Sequence, residues 1–396
     1  TPDPGEAFEH ITRQIFGAAE PAPNAKANMS GFLQDYATIA DPNVVGQIME
    51  CYSPDQAPVI NGLARHFTVC DHWFASVPCQ TWPNRGFVHC GSSAGRINNG
   101  DYVPYDVKTI FNVLYDQGIS WGMFSDTIYT PALARVQFSQ LWSFSDQFQA
   151  FSAFQTRCRA PANAPAEAKL PAYSFVEPRF MLEWTFSKTH YANDYHCSHN
   201  IAFGEAFLAK VYAAVQHSPY RDNILLIISF DEHGGCYDHV PPPANAAPPE
   251  PDPVSTEGNF HFDRFGVRVP TIVISSYVEP GTVFRAAEGE APYDHTSILA
   301  TLRDWKKLDQ DPAHPFLPSP RIAAAPTLQR VLTRSEANKN TEWPTLIRSR
   351  RVKTERGILN RPINDLQMSL LVGEETQRQG DVHIGAPGVA QLRGSV

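Results

Sequence analysis

Apolar residues recur at helical spacing in "DVKTIFNVLYDQG" (106–118), which ends on a glycine, and the spacing predicts a helix there. The run "ISWGMFSD" that follows reads as a strand. "IAFGEAFLAKVYAAVQHS" (201–218) predicts the longest helix, and "NILLIISF" (223–230) predicts a buried strand. "RVPTIVISSYV" (268–278) predicts a further strand, and "HTSILATLRDWKKL" (295–308) a further helix. Helices alternating with strands predict an α/β fold with a mainly parallel sheet flanked by helices.

Other segments interrupt that rhythm. "PPPANAAPPEPDPVSTEGN" (241–259) is too rich in proline for a central strand or a helix and reads as a loop. The weakly periodic stretch 127–170 reads as a cap or insertion. No internal repeat stands out. One domain over residues 1–345 is expected, with 346–396 as a C-terminal helix and a loosely held tail.

Composition narrows the function classes. The 396 residues carry a formal charge of −9, with pI near 5.9, and show no basic run interleaved with aromatics. A nucleic-acid partner is therefore not expected. No apolar run approaches the roughly 20 residues needed to cross a bilayer. The chain opens "TPDPGEAFEH" without Met or a signal peptide, which predicts processing or an internal start. Seven cysteines, an odd count, suggest a secreted or periplasmic protein with at least one unpaired or intermolecular thiol.

The densest chemistry is "SFDEHGGCYDHVPPP" (229–243). Asp231 and Glu232 follow directly on an apolar run, so they should emerge at the carboxyl end of a strand, where sites gather in open α/β sheets. Oxygen ligands there suit Ca²⁺, Mg²⁺ or Mn²⁺, whereas Zn²⁺ favours more His or Cys. Gly234 and Gly235 permit a tight turn that would fold Asp238 and His239 back beside the first pair. The plain alternative is a polar strand-end turn. In "CQTWPNRGF" (79–87), Thr81 precedes Asn84 and Arg85, which could hold an anionic oxygen. A hydroxyl beside a metal becomes a competent nucleophile; the alternative is that Thr81 merely caps a helix. "NDYHCSHN" (193–200) and "YDHTS" (293–297) add His196, His199 and His295 at strand-to-helix junctions.

Together these segments resemble the phosphoesterase family that includes phosphatidylcholine-preferring and non-specific phospholipases C and a related acid phosphatase. "TWPNR" (81–85) matches its T-x-P-N-R block, "DEHGGCYDHV" (231–240) its D-E-x-x-G-x-x-D-H-V block, and "GVRVPTIVISSYVEP" (266–280) its G-x-R-V-P block. Flanking pieces such as "SFVEPRF" are similar too, and the likeness runs in order from about residue 29 to 335. The resemblance implies an alkaline-phosphatase-like core. It implies Thr81 as nucleophile and metal ligand, with Asp231 and Glu232 as further ligands to a divalent ion (Ca²⁺, Mn²⁺ or Zn²⁺). It implies His196, His199 and His295 as catalytic groups gripping the phosphoryl group or protonating the leaving group, and Asn84, Arg85 and His233 as substrate-binding.

The family's first block, E-N-R-S-F-D, has no counterpart in these residues, so the expectation is either that an N-terminal piece has been removed or that a core strand and two site residues are missing. The implied activity is metal-dependent hydrolysis of a phospholipid or small phosphate ester, with peripheral membrane contact. Rival readings are an acid-phosphatase-like monoesterase and a non-catalytic binder of a phosphorylated ligand. Sulfatase-like chemistry is disfavoured, because its C/S-x-P-x-R context is absent. Trp73, Trp82 and Phe87 could cradle a choline cation, or simply pack.

Overall fold

The computed structural model describes residues 2–100, 103–186, 188–197, 199–250, 254–338 and 364–383. The chain begins with helices α1 (Phe8–Phe16), α2 (Phe32–Tyr36) and α3 (Pro58–His66), followed by strands β1 (Thr68–Cys70) and β2 (Trp73–Phe74) and by α4 (Thr81–Cys90). Next come α5 (Ile110–Asp116), β3 (Trp121–Ser125), α6 (Leu133–Gln137), β4 (Phe148–Ala150), α7 (Phe151–Cys158) and β5 (Tyr173–Glu177). The short pair β6 (Glu183–Thr185) and β7 (Lys188–His190) precedes α8 (Ile201–Gln216) and β8 (Leu226–Ile228). Strands β9 (Thr271–Ile274), β10 (Thr282–Phe284) and β11 (Tyr293–Asp294) lead to α9 (Thr296–Lys306), α10 (Pro320–Ala324) and α11 (Asp365–His383).

The fold is mixed α/β, but parallel pairing dominates only part of it. Strands β4, β3 and β5 form an all-parallel sheet. The larger sheet runs β10-β1-β9-β8; β1 is parallel to β10, but β9 is antiparallel to both β1 and β8. The expectation of a mainly parallel sheet therefore fails in the larger one. Parallel neighbours need a crossover, usually a helix, and the described residues between β8 and β9 contain none. The proline-rich loop in that interval returns the chain in the opposite sense. Residues 127–170, expected as a cap or insertion, supply β4 to the parallel sheet.

The two largest apolar clusters among the described residues hold these layers. One packs α3 and α8 on β1 and β9, around Leu63, Val211, Val273 and Ile274. The other gathers α5, α6, β3, α9 and α11 around Phe111, Leu133, Met123, Leu299 and Leu370. A fully buried Leu or Ile contributes about 2 kcal/mol through lost apolar surface. Helix α11 lies close on the body: a Cβ at Gly373 would sit 2.4 Å from Val136 Cγ1. The expected C-terminal helix is thus present, while the expected tail beyond it lies outside the described residues.

Edge strands β5 and β8 both border one cleft of about 830 Å³. Its wall is largely apolar, with Leu226, Ile228, Phe207 and Phe175, while Arg85, Asp231 and His295 supply polar groups.

Candidate active site

All ten residues of α4 are buried, although the helix carries Thr81, Asn84, Arg85 and His89. A helix buried all round is normally apolar, so its polar groups need partners. Thr81 is the first helical residue, 2% exposed, while Gln80 holds the N-cap position. The capping alternative for Thr81 is thereby removed. Asn84 spends its amide on the turn below: Nδ2 donates to the carbonyls of Cys79 (2.7 Å), Val77 (3.2 Å) and Gln80 (3.2 Å), and Oδ1 accepts from the Val77 N–H (3.1 Å). Asn84 builds the turn that presents Thr81. Arg85 pairs with buried Glu177 and lies over the rings of Phe175 and Phe180. Glu177 also accepts from the backbone N–H of Leu133 (2.8 Å), which ties α4 to α6.

The acidic turn follows β8. Asp231 Oδ1 accepts from the Glu232 N–H (3.1 Å), and Glu232 Oε2 accepts from the Gly234 N–H (2.6 Å). Gly234 and Gly235 both have φ of 65°, the left-handed region that favours glycine. The turn exists as expected, but it does not bring Asp238 and His239 beside the first pair. Asp238 is held by Arg268 from the third block, and the His239 side chain is 75% exposed. The guanidinium is the stronger partner for a half-buried carboxylate.

The neighbours of Glu232 come from the chain's opening residues. Asp3, Glu6 and His196 each place one ligand atom within 4.8 Å of the others. His196 Nε2 is 2.9 Å from Asp3 Oδ2 and 3.7 Å from Glu6 Oε1. Burial, then Glu232, raises the Glu6 pKa well above the usual carboxylate range. Glu232 is pushed up to about 8, by burial first and by Asp231 second. Burial opposes charge on His196, yet Glu6 and Asp3 outweigh it and hold the ring as imidazolium. Glu6 Oε1 and Asp3 Oδ1 are buried without a hydrogen-bond partner among the described residues. Crowded, buried, part-unsatisfied carboxylate oxygens are a donor set that suits a hard divalent cation.

The other histidines expected at the site, His295, His199 and His233, are fixed by specific hydrogen bonds. Trp73 Nε1–H can only donate, so His295 Nδ1 accepts from it (3.3 Å) and Nε2–H donates to the Asp231 carbonyl (2.7 Å). With both nitrogens engaged, His295 braces the end of β8 rather than facing a ligand. His199 Nδ1–H donates to Asp194 (2.6 Å), and its Nε2 accepts from Gln367 of α11 (3.2 Å). His233 is tied by Nε2 to Gln14 Oε1 (2.9 Å), and burial lowers its pKa to about 4. Trp73, Trp82 and Phe87 are buried at 2% exposure or less, and act as packing.

The structure thus gathers Asp231, Glu232 and His196, with Arg85 and His295 near Asp231 on the cleft wall. It does not join Thr81 to Asp231 or Glu232 by any hydrogen bond among the described residues. Reading the sequence missed Asp3, Glu6, Glu177 and Gln367. The only local signal for the first two was acid in a proline-rich opening.

Residues 1–308 match the Phosphoesterase family. Non-specific phospholipase C4 of Arabidopsis thaliana is 36% identical over 356 residues, covering 86% of this chain and 62% of that protein. Non-specific phospholipase C3 of the same plant is 32% identical over 382 residues, covering 93% and 69%. The non-hemolytic phospholipase C of Burkholderia pseudomallei is 25% identical over 283 residues, covering 62% and 39%. The chain therefore spans about two thirds or less of these relatives' lengths. Among solved structures, a phosphonate monoester hydrolase from Silicibacter pomeroyi aligns with a TM-score of 0.33 at 13% identity, covering 75% of this chain and 74% of that one. Three sequence blocks in order, a match over residues 1–308 and relatives above 30% identity carry one conclusion: the chain belongs to the phosphoesterase family.

Proposed function

We propose that this protein is a metal-dependent phosphoesterase that hydrolyses a phospholipid phosphodiester as a phospholipase C does, through Thr81 on an alkaline-phosphatase-like core. The observation that carries the reading is the crowding of Glu232 against Asp231 and Glu6, which a cation relieves. Family membership and relatives named as phospholipases C support the reaction class.

In this reading Asp231, Glu232 and Thr81 would hold a divalent ion (Ca²⁺, Mn²⁺ or Zn²⁺), with Glu6 an electrostatic neighbour of Glu232 and Asp231. When bound, such an ion neutralises phosphate charge and lowers the pKa of a nearby hydroxyl. The Thr81 oxygen attacks phosphorus, its proton passing to solvent, and the alcohol departs on the other side. A water then attacks the resulting Thr81 phosphoryl ester, releases the phosphorylated head group and returns a proton to the Thr81 oxygen. His196, kept protonated by Glu6 and Asp3, supplies a proton to the leaving oxygen. His295 acts as a positioning residue, because its Nε2–H holds the Asp231 backbone. The apolar wall of the cleft suits the lipid portion of the substrate.

The test is hydrolysis of p-nitrophenyl-phosphorylcholine and of p-nitrophenyl phosphate, with added metal or with EDTA. Metal-dependent diester turnover is expected. Turnover of the monoester alone would make the protein a phosphatase, and none of either by folded protein would leave a binder of phosphorylated ligands.

A further inference from the structure

Cys197 and Cys236 come from separate segments yet meet at the edge of the acidic turn. Cys197 lies between His196 and His199, ahead of α8. Cys236 follows the Gly234–Gly235 turn after β8. Their Sγ atoms are 3.2 Å apart, inside the van der Waals contact of two sulfurs.

Each cysteine sits at a turn fixed by backbone hydrogen bonding: the Cys236 N–H donates to the His233 carbonyl (3.2 Å), and Cys197 follows His196, whose carbonyl accepts from the His199 N–H (2.7 Å). Gly234 leaves the space that the sulfur fills: a Cβ there would lie 2.5 Å from Cys197 Sγ. The pair is also reachable, with Cys236 exposed and Cys197 half-buried, whereas Cys70, Cys79, Cys90 and Cys158 are buried. Closing the gap to the ~2.05 Å of a disulfide takes about an ångström of side-chain movement.

We propose that Cys197 and Cys236 are a modification site, which a small disulfide oxidant such as glutathione disulfide converts to a reversible cross-link. The exposed Cys236 sulfur attacks one sulfur of the oxidant, forms a mixed disulfide and expels one glutathione thiol. Cys197 then attacks the Cys236 sulfur, forms the protein S–S bond and expels the second glutathione. The two cysteine protons end on the two glutathione thiols. The protein loses two electrons and glutathione disulfide gains them. The cross-link joins residues 39 apart in sequence and pins the loop carrying His196 and His199 to the turn carrying Glu232.

The experiment treats the reduced full chain with glutathione disulfide, alkylates the remaining thiols under denaturing conditions, and maps the peptides by mass. The expected result is a Cys197–Cys236 cross-linked peptide, two fewer alkylated thiols and no retained glutathione. The melting temperature should rise, and dithiothreitol should reverse the rise. In Cys197→Ser, Cys236 should keep glutathione as a stable adduct and the rise should vanish. A wild-type Cys236 that keeps glutathione beside a free Cys197 would overturn the proposal. So would Cys236 paired with Cys51, or seven thiols still alkylated. None of these outcomes depends on phosphoesterase activity.

Discussion

Arg268 grips Asp238 with two nitrogens: Nε donates to Oδ2 at 2.7 Å and Nη2 to Oδ1 at 2.6 Å. This pair fastens the end of the D-E-x-x-G-x-x-D-H-V block to the G-x-R-V-P block, so two separated signatures share one joint. Arg268 Nη1 also donates to the Asp71 carbonyl (2.9 Å), which brings in the end of β1. The two side chains are only 22% and 12% exposed.

Truncating one partner strands the other with little solvent to replace it. Arg268→Ala should therefore cost about 2 kcal/mol of unfolding free energy. Arg268→Lys should recover only part, because an ammonium cannot reproduce the two-pronged geometry. Urea unfolding of both variants, and of Arg268→Ala combined with Asp238→Asn, measures the coupling. A double variant whose loss equals the sum of the singles would show that the pair is not coupled.

Much of this joint's surroundings was legible in the sequence, and much was not. The period of "IAFGEAFLAKVYAAVQHS" gave α8, and the step from apolar "ILLII" to Asp231 correctly put the carboxylates at a strand end, because both signals are local. Antiparallel pairing of β8 and β9 was not legible, since it depends on how a long proline-rich loop returns. The site was legible by residue type but not by orientation. His295 is turned inward by Trp73, 222 positions away, and His233 by Gln14, 219 positions away. Glu6 matters only because the opening segment folds against Glu232, which no spacing along the chain reveals.

Glu232 gives a pH-dependent expectation for the metal-free protein. Its folded pKa of about 8 lies above the ordinary 4.5, owing to burial and then Asp231; His196 and the Gly234 N–H act in the opposite direction, and Cys236 adds to the rise. Between those values the folded state holds a proton that the unfolded state has lost. Stability from this group therefore falls as pH rises through that window. A cation takes the proton's place, so Mn²⁺ should raise the melting temperature more at a pH of about 8 than at about 5. In Glu232→Gln both the pH slope in EDTA and the difference in metal response should shrink. Equal metal-induced shifts at both pH values in wild type would separate Glu232 from cation binding.

His89 gives the opposite sign. It is 0% exposed, ringed by Phe111, Phe138 and Phe175 at 4.7 to 5.7 Å, and neither ring nitrogen has a hydrogen-bond partner among the described residues. Burial first, then Arg85, lowers its pKa well below 6.5. Below that ordinary value the unfolded state binds a proton that the folded state refuses, so stability falls as pH drops, by up to about 1.4 kcal/mol per pH unit. His89→Leu removes the penalty and two unpartnered nitrogens. Its unfolding free energy should exceed that of wild type by a margin that widens as pH falls from about 7 to about 5. A constant margin across that range would mean that His89 protonation is not linked to unfolding.

Thr81 separates chemistry from folding most cleanly. Because Gln80 occupies the N-cap, replacing Thr81 removes no cap, and alanine is the most favourable residue within a helix. Asn84 keeps the turn beneath it through four hydrogen bonds that do not involve the threonine side chain. Thr81→Ala should thus melt within a few degrees of wild type while losing phosphodiester turnover by about a thousandfold or more. Thr81→Ser, which keeps an attacking hydroxyl, should retain a measurable share of the rate. Steady-state hydrolysis of p-nitrophenyl-phosphorylcholine, alongside thermal melts of the same preparations, reads both quantities. Turnover near the wild-type rate in Thr81→Ala would move the nucleophile elsewhere. A collapse of stability with the rate would instead make Thr81 a packing residue, since a hydroxyl that serves only as nucleophile leaves the folded core as it found it.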